Sequence, residues 1–172
     1  MSSTTPLDTL RPILQTYSVL AITLAAGTNL SSTIVTLPAL LQSPPATLAK
    51  QWKILFDHGI TPVVALTLSS AAGFATLAYN AALTPSVTAT GLVSHRARNL
   101  YAVAALLGVG LAPYTQILMG SVNAELASRA ERGEKGGESG TRGLVEKWGR
   151  LNLARGCMLL ASAGVGMWAR VQ

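Results

Sequence analysis

The sequence predicts an all-α integral membrane protein, a bundle of four transmembrane helices forming one domain over residues 1–172, and three observations predict it. Asp, Glu, Lys and Arg together supply only 12% of the chain, roughly half the usual share. Mean hydropathy is +0.41, carried by Ala, Leu and Val, with aromatic residues at only 5%. The stretches 12–49, 59–94 and 99–124 contain no charged residue, and each exceeds the ~20 residues a helix needs to cross hydrocarbon. A chain so poor in charge cannot cover a water-facing surface, whereas lipid tails require no such cover.

The first helix is predicted over about 12–41. Pro12 suits a first turn, and Ser43-Pro44-Pro45 breaks the helical pattern at the far end. Pro38 would kink this helix or end it early. The second is predicted over 54–83, ahead of Thr84-Pro85. Its Pro62 is tolerable in a membrane, where neighbouring groups satisfy the freed carbonyl. The third is predicted over 98–128, with Pro113 as a kink, and residues 133–143 read as a mobile polar loop. The fourth, over 144–170, is the weakest by hydropathy because it holds Arg150 and Arg155. Ala21 with Ala25, Gly108 with Ala112, and Gly156, Gly164 and Gly166 mark places where helices can approach closely. No internal repeat is visible. The N-terminus lacks a basic cluster and a cleavable signal, so the first helix is expected to be retained.

The net charge of +6 does not point to nucleic acid, because the basic residues flank the apolar segments and no nucleic-acid-binding motif accompanies them. The positive-inside rule makes the side holding Lys50, Lys53, Arg129, Arg132, Lys135, Arg142 and Lys147 cytoplasmic, by a modest bias. The single cysteine, Cys157, excludes an intrachain disulfide. Lying in an apolar stretch, it reads as a small buried hydrophobe. No Glu-x-x-His or paired-His spacing offers a metal site, and no phosphate loop, haem motif or dinucleotide fingerprint appears. Any chemistry is expected to proceed without a bound metal or other cofactor.

Polar groups inside the spans are the informative ones. An arginine near mid-membrane costs about 2.5–3.5 kcal/mol on insertion scales, so Arg155 should face a partner or a polar cavity. Trp148, Asn152 and Arg155 recur at i, i+4, i+7 and share one helix face. One reading has Arg155 snorkel to the interface beside an aromatic-belt Trp148. Asn152 on the same stripe favours an inward site. In the third helix Ala112, Gln116, Met119 and Asn123 recur at i, i+4, i+7, i+11, with Tyr114 and Thr115 just after Pro113. These amides could equally be interhelical glue, worth about 0.6 kcal/mol each. His58 enters the membrane at the start of the second span, where an imidazole can act as a base near neutral pH or have no task at all. His95 reads as a solvated loop residue. Asn29, Ser32, Thr33 and Thr36 give the first helix a mild polar face.

The run Pro113-Tyr114-Thr115, Met119, Asn123 and Leu126, followed by Trp148, Asn152 and Arg155, resembles the anthrone oxygenase family of small tetraspan membrane proteins. Trp52, Phe56, Gly59 and Pro62 fit the family's second helix, so the resemblance extends over roughly 10–170. It implies oxidation of a polyketide anthrone to the anthraquinone by molecular oxygen as co-substrate, with neither metal nor flavin, in fungal secondary metabolism. On this reading His58 is the base, Arg155, Asn152 and Asn123 stabilise the substrate anion, and Trp148, Tyr114, Thr115, Gln116 and Met119 bind the ring system. The expected partners are a small aromatic polyketide and the lipid bilayer, not nucleic acid; homo-oligomerisation is left open. The expected location is the endoplasmic reticulum or another endomembrane. The competing class is a non-catalytic tetraspan scaffold or small-solute carrier, which should tolerate Arg155→Lys. A glutathione-type membrane transferase would want more clustered cations than these spans offer.

Overall fold

The structure, a computed structural model, describes residues 6–84, 86–87, 93–132 and 140–171. Among the described residues the fold is all-α, built from four helical rods. The first is α1 (Pro6–Ser31), a π-helical segment (Ser32–Thr36) and α2 (Leu37–Leu40). The second is the single helix α3 (Pro45–Leu83). A two-residue antiparallel ladder, β1 (Ser86–Val87) with β2 (Val93–Ser94), precedes the third rod. That rod comprises α4 (Arg96–Val109), α5 (Leu111–Tyr114), a π segment (Thr115–Met119) and α6 (Gly120–Arg132). The fourth is α7 (Thr141–Trp168), closed by a 3-10 turn (Ala169–Val171).

The rods differ from the predicted spans chiefly at their N-terminal ends, because apolar length measures the membrane and not the helix. α3 begins at Pro45, well before the expected residue 54, since proline at a helix start loses no hydrogen bond. Leu48 N–H then closes the first turn on the Pro44 carbonyl at 2.8 Å. This added stretch buries Leu48, Ala49 and Trp52. α1 likewise begins at Pro6 and carries Pro12 in its interior. Most of the polar loop expected at 133–143 lies outside the described residues. Its last part is structured: Gly140 turns with a φ of 96°, a value favouring glycine, and Thr141–Gly143 already belong to α7.

Leu10–Leu40, Pro45–Leu83 and Arg96–Arg132 are long and apolar enough to cross a membrane. Their outer faces match that role, with Leu20, Leu24, Ile34, Val35, Leu68, Leu106 and Ile117 all exposed. An apolar outer surface of this kind is stable against lipid and not against water.

The chain packs as two compact units, each drawing on all four rods. One comprises Met1–Leu24, Ala65–Gly110 and Met158–Gln172. Small residues let its helices meet. The Ser70 hydroxyl donates to the Ser18 carbonyl and the Ser162 hydroxyl to the Ala104 carbonyl, both at 2.7 Å. Gly108 leaves room for Ala71, Gly166 lies against the Phe74 ring, and Phe74 stacks on Tyr101 at 6.3 Å. The other unit comprises Ala25–Val64 and Leu111–Cys157. Its core gathers Leu37, Leu48, Trp52, Met119, Val122, Leu126, Val145 and Trp148. Gly149 lies against Leu37 and Gly156 against Leu30, the close backbone approach that stands in for hydrophobic drive between helices in lipid.

Two sequence expectations are corrected here. Cys157 is exposed, not buried, because it falls on the outward side of α7, two residues past the inward Arg155. The stripe Ala112, Gln116, Met119, Asn123 does not form one face: Ala112 and Gln116 are exposed while Met119 is buried. The π segment at Thr115–Met119 lies between these residues, and its extra residue per turn shifts the helical phase that the i, i+4 count assumes.

Candidate active site

Within the second unit, α1, α3 and α7 surround a small cleft. Its polar side is Thr28, Asn29, Ser32, Asn152 and Arg155. Its apolar side is Leu55, Phe56, Gly59, Ile60, Val63 and Trp148. Phe56, Gly59, Ile60 and Val63 recur at i, i+3, i+4, i+7, so a single stripe of α3 supplies most of that wall.

Arg155 stands near the middle of α7, 8% exposed, so it does not snorkel to the interface. One terminal nitrogen, Nη2, donates to Asn29 Oδ1 at 2.9 Å, and Nη1 lies 3.7 Å from Met119 Sδ. Nε is buried and has no partner among the described residues. A guanidinium carries five N–H donors in a fixed fork, so most of its donor capacity is unspent. Asn29 is fixed in turn by its Nδ2 donating to the Ala25 carbonyl at 3.1 Å.

Asn152 is 2% exposed. Its Nδ2 donates to the Asn29 backbone carbonyl at 2.8 Å and to Thr33 Oγ1 at 2.9 Å. Both amide hydrogens are thereby used. Asn152 ties α7 to the first rod and orients the turn from which Arg155 projects.

Trp148 packs edge-on against Trp52 at 5.9 Å with an interplanar angle of 87°. Trp52 stacks on Phe56 at 5.1 Å. Phe56 and Trp148 face the cleft, and Trp52, which contacts both, backs them. The buried Trp148 Nε1 also has no partner among the described residues, so two of the lining residues each keep an unspent N–H donor. The lining contains no carboxylate. Unspent N–H donors on residues of a largely apolar lining free of carboxylate form a place for a negatively charged oxygen.

The residues singled out by sequence divide into two groups. Trp148, Asn152 and Arg155 meet in the cleft together with Asn29 and Ser32 of the first helix's polar face. The third-rod residues do not line it. Tyr114 donates to the Leu151 carbonyl at 3.1 Å, and Thr115 to the Leu111 carbonyl at 2.8 Å. Gln116 is exposed, and Asn123 Oδ1 is buried without a partner among the described residues. Met119 reaches the site only by supporting Arg155. His58 is exposed, with Nδ1 2.9 Å from the Ile54 carbonyl, outside the lining but next in sequence to Gly59. A carbonyl can only accept, so Nδ1 carries the proton and the Nε2 of the neutral ring is left as the acceptor.

Sequence reasoning did not single out Thr28, Leu55, Ile60 and Val63. The period of the α3 stripe is a signal that could have found the wall, but in an apolar span it does not separate a lining face from a packing face. Among the described residues no group of three or more His, Cys, Asp or Glu could hold a metal ion.

The chain is 26% identical over 159 residues to the protein named monooxygenase hypC of Dothistroma septosporum, covering 90% of this chain and 80% of that one. It is 29% identical over 159 residues to the noranthrone monooxygenase of Aspergillus flavus, covering 87% of this chain and 70% of that one. No solved structure matches significantly. The profile of the anthrone oxygenase family matches residues 52–165, a stretch that holds the whole α3 wall and the Trp148–Asn152–Arg155 stripe. On that match the chain belongs to the anthrone oxygenase family.

Proposed function

We propose that this protein oxidises a polyketide anthrone with molecular oxygen to the anthraquinone, using neither metal nor flavin, at the cleft around Arg155. The observation that carries the reading is the pairing of unspent Arg155 and Trp148 donors with an aromatic, carboxylate-free wall. An anthrone has a doubly benzylic methylene opposite its carbonyl. Loss of one methylene proton gives an anion whose charge rests largely on the carbonyl oxygen, as in a phenolate. Arg155 Nε and Trp148 Nε1 would hold that oxygen, and stabilising it lowers the barrier to deprotonation. The rings would lie along Phe56, Ile60 and Val63.

The carbanion then passes one electron to oxygen, and the two radicals combine into a peroxide anion at the former methylene carbon, which takes back the proton held by the base to become the hydroperoxide. Loss of the second methylene proton with cleavage of the O–O bond leaves a carbonyl and one water. Two hydrogens leave the substrate and one oxygen atom enters it. An apolar chamber suits the step, because dioxygen partitions into hydrocarbon. His58 Nε2, at the edge of the α3 wall, would take the first proton. Asn152 would act by positioning Arg155 and not by touching the anion, since its donors are committed elsewhere.

The cleft's interior is about 30 Å³, the share of a single water molecule in the liquid. Sites for drug-sized ligands run about 300–1,000 Å³, so a tricyclic substrate would enter by spreading side chains, and the mobile candidates are the half-buried Leu55 and Phe56. We further propose that α7 crosses the bilayer as a fourth span with its arginine sealed inside, and that the membrane is an endomembrane such as the endoplasmic reticulum.

The test is oxygen uptake and quinone formation by purified protein given emodin anthrone, against spontaneous autoxidation and an Arg155→Ala control. Turnover well above both, unchanged by chelators and with sub-stoichiometric metal by elemental analysis, supports the reading. A rate equal to autoxidation in protein whose helical signal is intact overturns it for this substrate. Full turnover in His58→Ala would remove that residue as the base.

A further inference from the structure

The unit comprising Met1–Leu24, Ala65–Gly110 and Met158–Gln172 holds a second cavity, of about 130 Å³. Gln15, Thr16, Val19 and Leu20 of α1 form one side, and Met167 and Arg170 at the end of the fourth rod form the other. Two of these side chains are unexplained by packing. Gln15 is 7% exposed, and its Nε2 donor is buried with no partner among the described residues. Arg170 is exposed and has no acidic partner among the described residues. Arg11, one turn before Gln15 on α1, and Arg170 both lie near enough to Tyr101 to act on its hydroxyl electrostatically. Arg170 and the Gln15 amide therefore both border a cavity whose remaining wall, Thr16 apart, is hydrocarbon.

A ligand complementary to this arrangement carries an anionic head and an apolar tail. The flanking residues Leu20, Met167 and Trp168 are exposed, and the α1 rod is one of those apolar enough to cross a membrane, so the groove opens where lipid would meet it. We propose that this cavity is a binding site for one anionic phospholipid, its phosphate held by Arg170 and the Gln15 amide and one acyl chain lying along Val19, Leu20 and Met167. Arg11 adds attraction at longer range. A zwitterionic lipid offers the same chain, but its choline cation offsets the charge that the arginines recognise. Free phosphate offers the charge but leaves the apolar wall uncovered.

The protein supplies its own reporter. Trp52 and Trp148 are buried, while Trp168 is exposed beside the groove residue Met167. Full-length protein in phosphatidylcholine nanodiscs is titrated with chain-brominated phosphatidic acid or with chain-brominated phosphatidylcholine, reading quenching of tryptophan fluorescence. Phosphatidic acid should reach half-quenching at about fivefold lower mole fraction, the preference one arginine confers near a membrane surface. Arg170→Gln and Gln15→Leu should remove that preference, and Arg170→Lys should restore part of it. Equal quenching by both headgroups, or a preference that survives Arg170→Gln, overturns the site. Displacement of the brominated phosphatidic acid by inorganic phosphate alone would overturn the lipid assignment in favour of a free-anion site.

Discussion

Arg155 is held by two contacts of unequal quality, a 2.9 Å hydrogen bond to the Asn29 amide oxygen and a 3.7 Å approach to a thioether. That geometry fixes the guanidinium plane while leaving donors for a ligand. Lysine would keep the charge but lose the fork. Arg155→Lys should therefore lower quinone formation by about 10²-fold, the cost typical of removing an oxyanion donor, with little change in the helical signal; undiminished turnover would show that charge alone suffices. Gly59 gives the complementary test, because a Cβ built there meets nothing within 4 Å. Gly59→Val should leave the melting temperature within a few degrees while filling the cleft and cutting activity by at least tenfold, about the 1.4 kcal/mol of a lost ring contact. At this scale the sequence is legible where a polar residue breaks an apolar run, which is why Trp148, Asn152 and Arg155 stand out. Leu55, Ile60 and Val63 do not, since an apolar side chain lining a cleft and one facing lipid look alike in one dimension.

Between residues and whole molecule, the π segments are what hydropathy could not reveal. In the first rod, the Leu37 N–H reaches back five residues to the Ser32 carbonyl, one turn beyond the Asn29 that anchors the site. In the third, the segment follows directly on α5, which holds Pro113, whose missing N–H already weakens the regular ladder. Pro38 and Pro113 are kink signals in the sequence, and the irregularity beside each takes the form of an inserted residue. Such an insertion can be reversed. Deleting Ile117, which is exposed, should convert the third rod's segment to α-helix without disturbing either flank, and the variant should fold and melt close to the parent; collapse of the fold would mean the π turn is needed for packing. Helix approach has the opposite tolerance. A Cβ on Gly156 would stand 2.7 Å from Leu30 Cδ2 and 3.3 Å from the Leu30 backbone nitrogen. Gly156→Ala should thus destabilise by about 1–3 kcal/mol, seen as a lower melting temperature in detergent.

Across the molecule, charge content and span length suffice to read an all-α membrane class, because they report what the surface must face. They do not report where the helices begin, since Pro45–Leu83 is 39 residues long and would run about 58 Å, well past a ~30 Å hydrocarbon core. The fourth rod is the discriminating one, as among the described residues only the first three rods are apolar enough to span by composition. Its exposed Cys157 is the chain's single cysteine. If α7 is embedded, Cys157 should resist a membrane-impermeant maleimide in intact vesicles and react once detergent is added; prompt labelling before detergent would place that face of α7 in water.

The shorter of the two hydrogen bonds from Asn152 to the first rod ends on a main-chain oxygen, that of Asn29. Every residue type at position 29 would present that same carbonyl. The latch is therefore specified by position 152 and by the hydroxyl of Thr33, its second acceptor, while position 29 remains open to change for the sake of the ligand. A descendant of this protein could retune the group that touches Arg155 and keep its helices joined, so substrate preference and assembly can evolve on separate residues although they meet at one turn of helix.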